Sequence, residues 1–305
     1  MTDAPVTSGG TRERGVLALA VIAPLWGYSW VVSKVALEYS QPFTFVALIT
    51  ALGAAVLAVV LVATRRPLRP PPLGWTALIG FFQTTLFNGL AILALTVGSA
   101  GKVSVLAYTM PFWLLLLAWL FLGERLRSLQ WPAVALAFAG LVLVVQPWYL
   151  GGALSGVLAC GAGLAWAVAT LLVKLLQRHT PSDTLSLTTW QLALGSVPLV
   201  LVAVVTESGP PVWTGTFVAC LAYSVLLANA ACWALWVFAL RSLSAGAAGM
   251  GTLAVPIVGV IAAWIQFGEA PTLVEGIGMT LIVVALAALA VYGARAGAAG
   301  TRAVG

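Results

Sequence analysis

The chain repeats part of itself. A segment of 31 residues, from Ala94 to Glu124, recurs from Ala239 to Glu269 at a fixed offset of 145 residues. About three identities are expected by chance in a chain rich in alanine and leucine, and ten are found. The identical positions in the first copy are Ala94, Leu95, Ser99, Ala100, Gly101, Pro111, Ala118, Trp119, Gly123 and Glu124. The chain is therefore predicted to contain two related halves.

The composition places both halves in a membrane. Of the 305 residues, 62% are hydrophobic and 7% are charged, and the mean hydropathy is +1.07. A soluble protein of this composition would have too few polar residues to cover its surface. Runs long enough to cross about 30 Å of hydrocarbon lie at 15–37, 43–63, 73–97, 101–122, 129–147, 152–176, 184–206, 214–240, 245–268 and 272–294. We predict an all-α integral membrane protein with ten transmembrane helices.

Lysine and arginine predict the orientation, because short basic loops stay on the cytoplasmic side. With the N-terminus inside, only Lys34 and Lys102 of the 14 basic residues lie outside. Residues 1–14 and 295–305 are then cytoplasmic tails, and the first apolar run is expected to remain as a helix. The net charge of +6 reflects this topology and contact with anionic lipid, so no nucleic-acid partner is expected.

Each half contains five runs, at 15–147 and 152–294, with a short linker at 148–151. Because five is odd, the second half begins on the opposite side of the membrane, and the repeats are inverted. Inverted repeats are typical of transporters that bind substrate near the midplane between their halves. They also occur in channels, so the architecture predicts translocation without choosing its kind.

Two pairs of motifs carry a family resemblance. They are Leu25-Trp26-Gly27 with Ala165-Trp166-Ala167, and Leu122-Gly123-Glu124 after Pro111 with Phe267-Gly268-Glu269 after Pro256. With ten runs in two halves, the chain resembles the drug/metabolite transporter superfamily, in its bacterial EamA-type branch. The resemblance implies that spans 1, 3, 4, 6, 8 and 9 surround a central cavity and that spans 5 and 10 are peripheral. It also implies export of amino acids or other metabolites across the bacterial inner membrane.

Uncharged polar side chains lie deep in the third span and in its repeat mate. Span three carries Gln83, Thr84 and Asn88, and at an offset of 145 Asn229 matches Thr84 and Trp233 matches Asn88. Residues four apart share a helix face, so two such faces meeting at the centre would form a polar cavity edged by an aromatic ring. The alternative is that the amides hold neighbouring helices together.

Aromatic residues extend this candidate site. The chain has 13 tryptophans, and membrane tryptophans usually lie at the interface, but several lie deeper and suit a flat or apolar ligand. Tyr108 and Gln191 add polar groups beside them. The predicted substrate-binding set is Trp26, Gln83, Thr84, Asn88, Tyr108, Trp166, Trp190, Gln191, Asn229 and Trp233.

Pro111 and Pro256 occupy matching positions in the fourth and ninth spans. Proline inside a helix removes a hydrogen bond and clashes with the carbonyl four residues earlier, here that of Ala107 or Thr252. We predict a hinge at each proline, with a static kink as the alternative.

None of the eight acidic residues lies near the centre of a span. Proton relays in membranes need an ionisable group at depth, so a relay through a buried carboxylate is disfavoured. Glu124 and Glu269 are expected at the interface. Lys34 and Lys174, matched at an offset of 140, are expected to extend their ammonium groups to the interface, or to attract a carboxylate or phosphate at a cavity mouth.

Catalytic chemistry has few candidate residues. The chain has one histidine, His179, and three cysteines at unrelated spacings, so we expect no enzyme, metal site or cofactor. We expect a monomer that binds a small molecule and membrane lipid. The prediction is an exporter of amino acids with aromatic or large apolar side chains, and the alternative is a proton-coupled efflux transporter for drugs or lipophilic cations.

Overall fold

The computed structural model describes residues 9–123, 130–146, 148, 150–180, 182–242 and 254–302. These residues form helices and short connections, and no β-strand occurs among them. Six helices are long and apolar enough to cross a membrane, and four further apolar helices are shorter. The predicted all-α membrane architecture is confirmed at this level.

Helices are numbered in chain order after the apolar runs that form them. They are α1 (Gly9–Ala36), α2 (Pro42–Ala63), α3 (Leu73–Val97), α4a (Ala100–Ala107), α4b (Met110–Leu122), α5 (Gln130–Val145), α6 (Leu150–His179), α7 (Thr184–Thr206), α8 (215–242), α9 (Ala254–Phe267) and α10 (Leu273–Arg302).

Local chemistry determines several helix ends. The Asp183 carboxylate accepts a 3.0 Å hydrogen bond from the Ser186 amide and caps the start of α7. Gly123 and Gly268 follow α4b and α9 with φ angles of 64° and 69°. Glycine adopts this left-handed conformation at the lowest cost, which accounts for the glycine that both copies of the repeat carry at this position.

The helices pack in a reciprocal pattern. α1 contacts α8 and α9, whereas α6 contacts α3 and both parts of α4. α2 pairs with α7, and α5 pairs with α10. Exchanging each helix for its mate in the other half therefore maps these four packing contacts onto one another.

The α2–α7 pair is joined at both ends. At one end, the carboxylate of Glu207 after α7 accepts 2.7 Å hydrogen bonds from the amides of Phe43 and Thr44 in the first turn of α2. At the other end, Arg66 after α2 forms a 2.7 Å ion pair with Asp183 before α7. These contacts join α2 and α7 at both ends.

Candidate functional site

Both halves contain a π-helical segment at matching positions. Phe81–Leu86 is π-helical within α3, and Tyr223–Ala231 is π-helical within α8. At the offset of 145 residues, the first segment falls inside the second. π-helical turns are rare and frequently occur at functional sites. The candidate polar residues Gln83, Thr84 and Asn229 all lie in these two segments.

Thr84 and Gln191 lie together where α3 meets α7. Both are buried, and the Thr84 hydroxyl donates a 3.2 Å hydrogen bond to the Gln191 carbonyl oxygen. The neighbouring Thr85 hydroxyl donates to the Gly195 carbonyl oxygen at 2.6 Å. A Cβ atom on Gly80 would lie 2.6 Å from the Gln191 carbonyl oxygen. The two backbones are therefore in direct contact beside the π segment of α3.

The candidate amides bind carbonyl groups of their own helices. Asn88 Nδ2 donates to the Thr84 carbonyl oxygen at 2.8 Å, and Asn229 Nδ2 donates to the Ser224 carbonyl oxygen at 3.2 Å. Asn229 faces α2, where a Cβ atom on Gly53 would lie 3.5 Å from its Nδ2. Both amides are half-buried, and each keeps hydrogen-bonding capacity beyond these contacts.

One aromatic cluster joins α1 to α8. The Trp26 ring lies 5.9 Å from the Trp233 ring in an edge-to-face arrangement and 6.1 Å from the Trp236 ring. Trp26 Nε1 also donates a 2.8 Å hydrogen bond to the Ala228 carbonyl oxygen in the π segment of α8. The Tyr223 hydroxyl donates in the opposite direction, to the Leu25 carbonyl oxygen at 2.8 Å.

A second aromatic cluster joins α6 to α3 and to the end of α4a. The Trp166 ring lies 5.4 Å from the Tyr108 ring and 5.4 Å from the Phe87 ring, edge to face in both cases. Trp166 corresponds to Trp26 at an offset of 140 residues, so the two clusters are repeat-related. Phe87 was missed by the sequence reasoning, although its spacing of three residues from Thr84 was a signal.

The other candidate residues lie apart from the clusters or at their edge. Trp190 Nε1 donates to the Leu68 carbonyl oxygen at 3.0 Å, which ties α7 to the loop between α2 and α3. Gln83 is half-buried in the π segment of α3. Trp190 therefore has a structural contact outside the two aromatic clusters.

The fourth helix is interrupted just before Pro111. α4a ends at Ala107, a turn follows at Tyr108 and Thr109, and Pro111 occupies the first turn of α4b. α6 passes close to this break, since a Cβ atom on Gly163 would lie 3.0 Å from the Ala107 carbonyl oxygen. The helix is thus broken just before Pro111, and the hinge at this proline stays a prediction.

Pro256 is buried in the first turn of α9. A Cβ atom on Gly27 of α1 would lie 2.8 Å from the Val255 carbonyl oxygen, so α1 approaches this proline as α6 approaches the break before Pro111. Thr252, whose carbonyl was predicted to meet Pro256, lies outside the described residues.

Charged groups lie at the ends of the helices. The described carboxylates are those of Glu13, Glu38, Asp183, Glu207, Glu269 and Glu275, and each lies near a helix end or in a connection. Lys34 pairs with Glu269, and Lys102 lies 3.4 Å from Glu275. Among the described residues, no group of three or more histidine, cysteine or acidic side chains is placed to hold a metal ion. Glu124 lies outside those residues.

Apolar helices long enough to cross a membrane, in a chain with an internal repeat, are a combination found in many transporters. Residues 13–146 and 154–291 each match the EamA-like transporter family, and the chain belongs to this family.

Relatives along most of the chain are also transporters. The Bacillus subtilis transporter YvbV is 29% identical over 280 residues, covering 90% of this chain and 91% of that protein. A probable amino-acid metabolite efflux pump of Salmonella typhimurium is 28% identical over 289 residues, covering 90% and 94%. A riboflavin transporter of Rhizobium johnstonii is 31% identical over 183 residues, covering 58% and 57%.

The crystal structure of another protein has the same fold as this chain. Its TM-score is 0.64 at 20% sequence identity, and the alignment covers 94% of this chain and 99% of that one. At this identity the similarity shows the fold alone.

Proposed function

We propose that the protein exports amino acids with aromatic or large apolar side chains across the bacterial inner membrane by alternating access. The observation that carries the proposal is the pair of aromatic clusters, around Trp26 in one half and around Trp166 in the other. Aromatic rings offer a large, weakly polar contact surface to an apolar side chain. Nearby amides and hydroxyls supply hydrogen bonds for the polar end of the solute.

The reciprocal packing supports ten spans arranged as two inverted repeats. Each half provides one long helix, α1 or α6, that packs on the third and fourth helices of the other half. If the halves interconvert, the contacts of α1 with α8 and α9 take the form now adopted by α6 with α3 and α4. Such an exchange opens one side of a central site while it closes the other.

The backbone irregularities supply places where this movement can occur. The π segments of α3 and α8 and the break between α4a and α4b interrupt regular hydrogen bonding in helices that line the proposed cavity. The α2–α7 pair, joined at both ends, and the α5–α10 pair serve as the scaffold. Substrate contact with the movable helices then couples binding to the change of access.

The position of the carboxylates supports transport without a proton relay through a buried acid. All the described carboxylates lie near helix ends or in connections, whereas a relay needs an ionisable group at depth. Transport then follows the solute gradient, and export results from a higher concentration inside the cell.

A second candidate substrate is a flat heteroaromatic solute. Among the relatives is a riboflavin transporter, and the Trp166 cluster presents three aromatic rings, from α6, α3 and the turn after α4a. Riboflavin therefore belongs in the competitor panel beside the amino acids.

Export can be measured in cells that lack their own aromatic amino-acid exporters. Cells producing the protein are loaded with radiolabelled phenylalanine, and its release is followed after dilution. We expect faster release than from cells producing a double variant, Trp26→Ala and Trp166→Ala, at equal membrane abundance. Equal release from the two strains would contradict the proposal.

A further inference from the structure

A cavity of about 650 Å³ lies at the end of the molecule that carries Lys34. Its wall is formed by the end of α1, the start of α2, the end of α3, the connection before α8, and Phe267. We call it the Lys34 cavity. Its volume lies in the range of small-molecule sites. None of the residues of the two aromatic clusters lines it, so it is a separate place on the molecule.

Three contacts hold the ammonium group of Lys34, a residue of the cavity wall. It pairs with the Glu269 carboxylate, donates a 2.9 Å hydrogen bond to the Gly98 carbonyl oxygen, and lies 5.5 Å from the centre of the Phe267 ring. About a quarter of the Lys34 side chain is accessible to solvent, at 27%. Because Lys34 also lines the cavity, a solute there lies next to this side chain.

Glu269 has a second partner that does not depend on Lys34. Its other carboxylate oxygen accepts a 2.9 Å hydrogen bond from the Ala100 amide, in the first turn of α4a. A helix N-terminus stabilises a negative charge. Glu269 can therefore release Lys34 while its charge stays compensated, and Lys34 keeps the Gly98 carbonyl oxygen and the Phe267 ring.

The same wall contains an unpaired carboxylate. Glu38 lines the cavity and is exposed, and within the described part of the chain no cation pairs with it. The cavity thus presents an ammonium group, a carboxylate and an aromatic ring. These are the partners that the carboxylate, the ammonium group and the side chain of an aromatic amino acid require.

We propose that the Lys34 cavity is a second solute site, which binds a zwitterionic amino acid. The solute carboxylate replaces the Glu269 carboxylate as the partner of the Lys34 ammonium group. The solute ammonium group approaches Glu38. Because the Lys34–Glu269 pair joins α1 to the connection between α9 and α10, the exchange loosens this end of the molecule as the solute occupies it. The assignment of an amino acid rests on the proposed function.

The test places a reporter thiol in the cavity wall. Thr96 is exposed and lines the cavity, and the Thr96→Cys variant is purified and treated with a water-soluble maleimide. The wild-type protein, with its three cysteines, measures background labelling. We expect phenylalanine to slow the labelling of the introduced thiol, and the variants below link the concentration giving half protection to this cavity.

Two further substitutions in the Thr96→Cys background should shift the half-protecting concentration of phenylalanine in opposite directions. Lys34→Gln removes the carboxylate partner and should raise the half-protecting concentration at least tenfold. Glu269→Gln removes the competing carboxylate and should lower it severalfold. A purely structural role of the ion pair would move both variants in the same direction. Lys102→Gln, at another ion pair of the same end whose residues do not line the cavity, should leave the value unchanged.

The role of the solute ammonium group is tested with 3-phenylpropionate, which has a carboxylate and no ammonium group. Glu38→Gln should weaken protection by phenylalanine and leave protection by 3-phenylpropionate unchanged. Absence of protection by phenylalanine, or equal values for Lys34→Gln and Glu269→Gln, would overturn the site. Export by the Thr96→Cys variant without protection would overturn this inference alone, whereas protection without export would contradict the proposed function.

Discussion

Trp26 Nε1 donates a 2.8 Å hydrogen bond to the carbonyl oxygen of Ala228, so the first helix of one half holds the π-helical segment of the other. The bond joins residues 202 positions apart. It also fixes the indole ring against Trp233, at 5.9 Å. A change in the angle between α1 and α8 would disturb the hydrogen bond and the ring contact together, which makes Trp26 a sensitive point for the proposed movement.

Replacing Trp26 with phenylalanine keeps an aromatic ring and removes the donor. The Ala228 carbonyl oxygen then loses a partner at a half-buried position, which should cost about 1 kcal/mol of folding stability. We expect a lower melting temperature for the purified protein and slower transport. Trp75→Phe is the matched control, since the Trp75 indole is more than a third exposed. An unchanged melting temperature in Trp26→Phe would contradict the role of the bond.

Gly80→Ala should destabilise the contact between α3 and α7. The new Cβ atom would lie 2.6 Å from the Gln191 carbonyl oxygen and 3.2 Å from the Gly195 amide nitrogen. Because both are backbone atoms, we expect a loss of about 1–3 kcal/mol from overpacking, measured by thermal unfolding in detergent. Gly74→Ala, in the first turn of the same helix, meets nothing within 4 Å and should be neutral or stabilising. Equal melting temperatures for the two variants would refute the close approach.

Asn88→Ala and Trp233→Ala should reduce transport without preventing membrane insertion. Asn88 follows the π segment of α3, and Trp233 follows that of α8. We expect at least a tenfold loss of exchange with normal amounts of protein in the membrane. Wild-type transport in both correctly inserted variants would remove these two residues from the cavity.

Pro111→Ala should slow transport by making α4 more continuous. Alanine restores the backbone donor that proline lacks and is a strong helix former. We expect a severalfold lower rate at unchanged abundance. Pro198 lies inside α7 and has no proline at the matching position in the other half, so Pro198→Ala serves as the control. An unchanged rate for Pro111→Ala would favour a static kink.

Hydropathy located most of the helices well. The apolar runs 43–63 and 184–206 lie within one residue of Pro42–Ala63 and Thr184–Thr206. The paired glycines at 123 and 268 were visible as a repeat, and their positive φ angles give the physical reason. Such features depend on composition and local conformation, which the sequence records directly.

The π segments could not be predicted from the sequence. Phe81–Leu86 and Tyr223–Ala231 occupy matching positions, but their residues differ almost throughout. π-helical turns are rare, and the matched residues of the two segments share no pattern that would mark them in the sequence. The sequence prediction placed Asn88 and Asn229 on helix faces that could form a cavity, and it did not include their hydrogen bonds to the carbonyl oxygens of Thr84 and Ser224.

Long-range side-chain pairs could likewise not be predicted from the sequence. Lys34 and Glu269 were each expected at the interface, but their pairing across 235 positions depends on how α1 and α9 pack. The Trp26–Trp233 and Trp166–Tyr108 contacts depend on helix rotation in the same way. The repeat gave the one available signal that Lys34 and Glu269 matter, because Lys34 matches Lys174 and Glu269 matches Glu124.

Counterflow tests the central claim most directly. Proteoliposomes containing the purified protein are loaded with unlabelled phenylalanine and diluted into radiolabelled phenylalanine, with no pH gradient imposed. We expect transient accumulation of label that aromatic and large apolar amino acids compete away and that charged amino acids leave unchanged. No accumulation with any amino acid, by protein that is folded and correctly inserted, would contradict the account of an uncoupled amino-acid exporter.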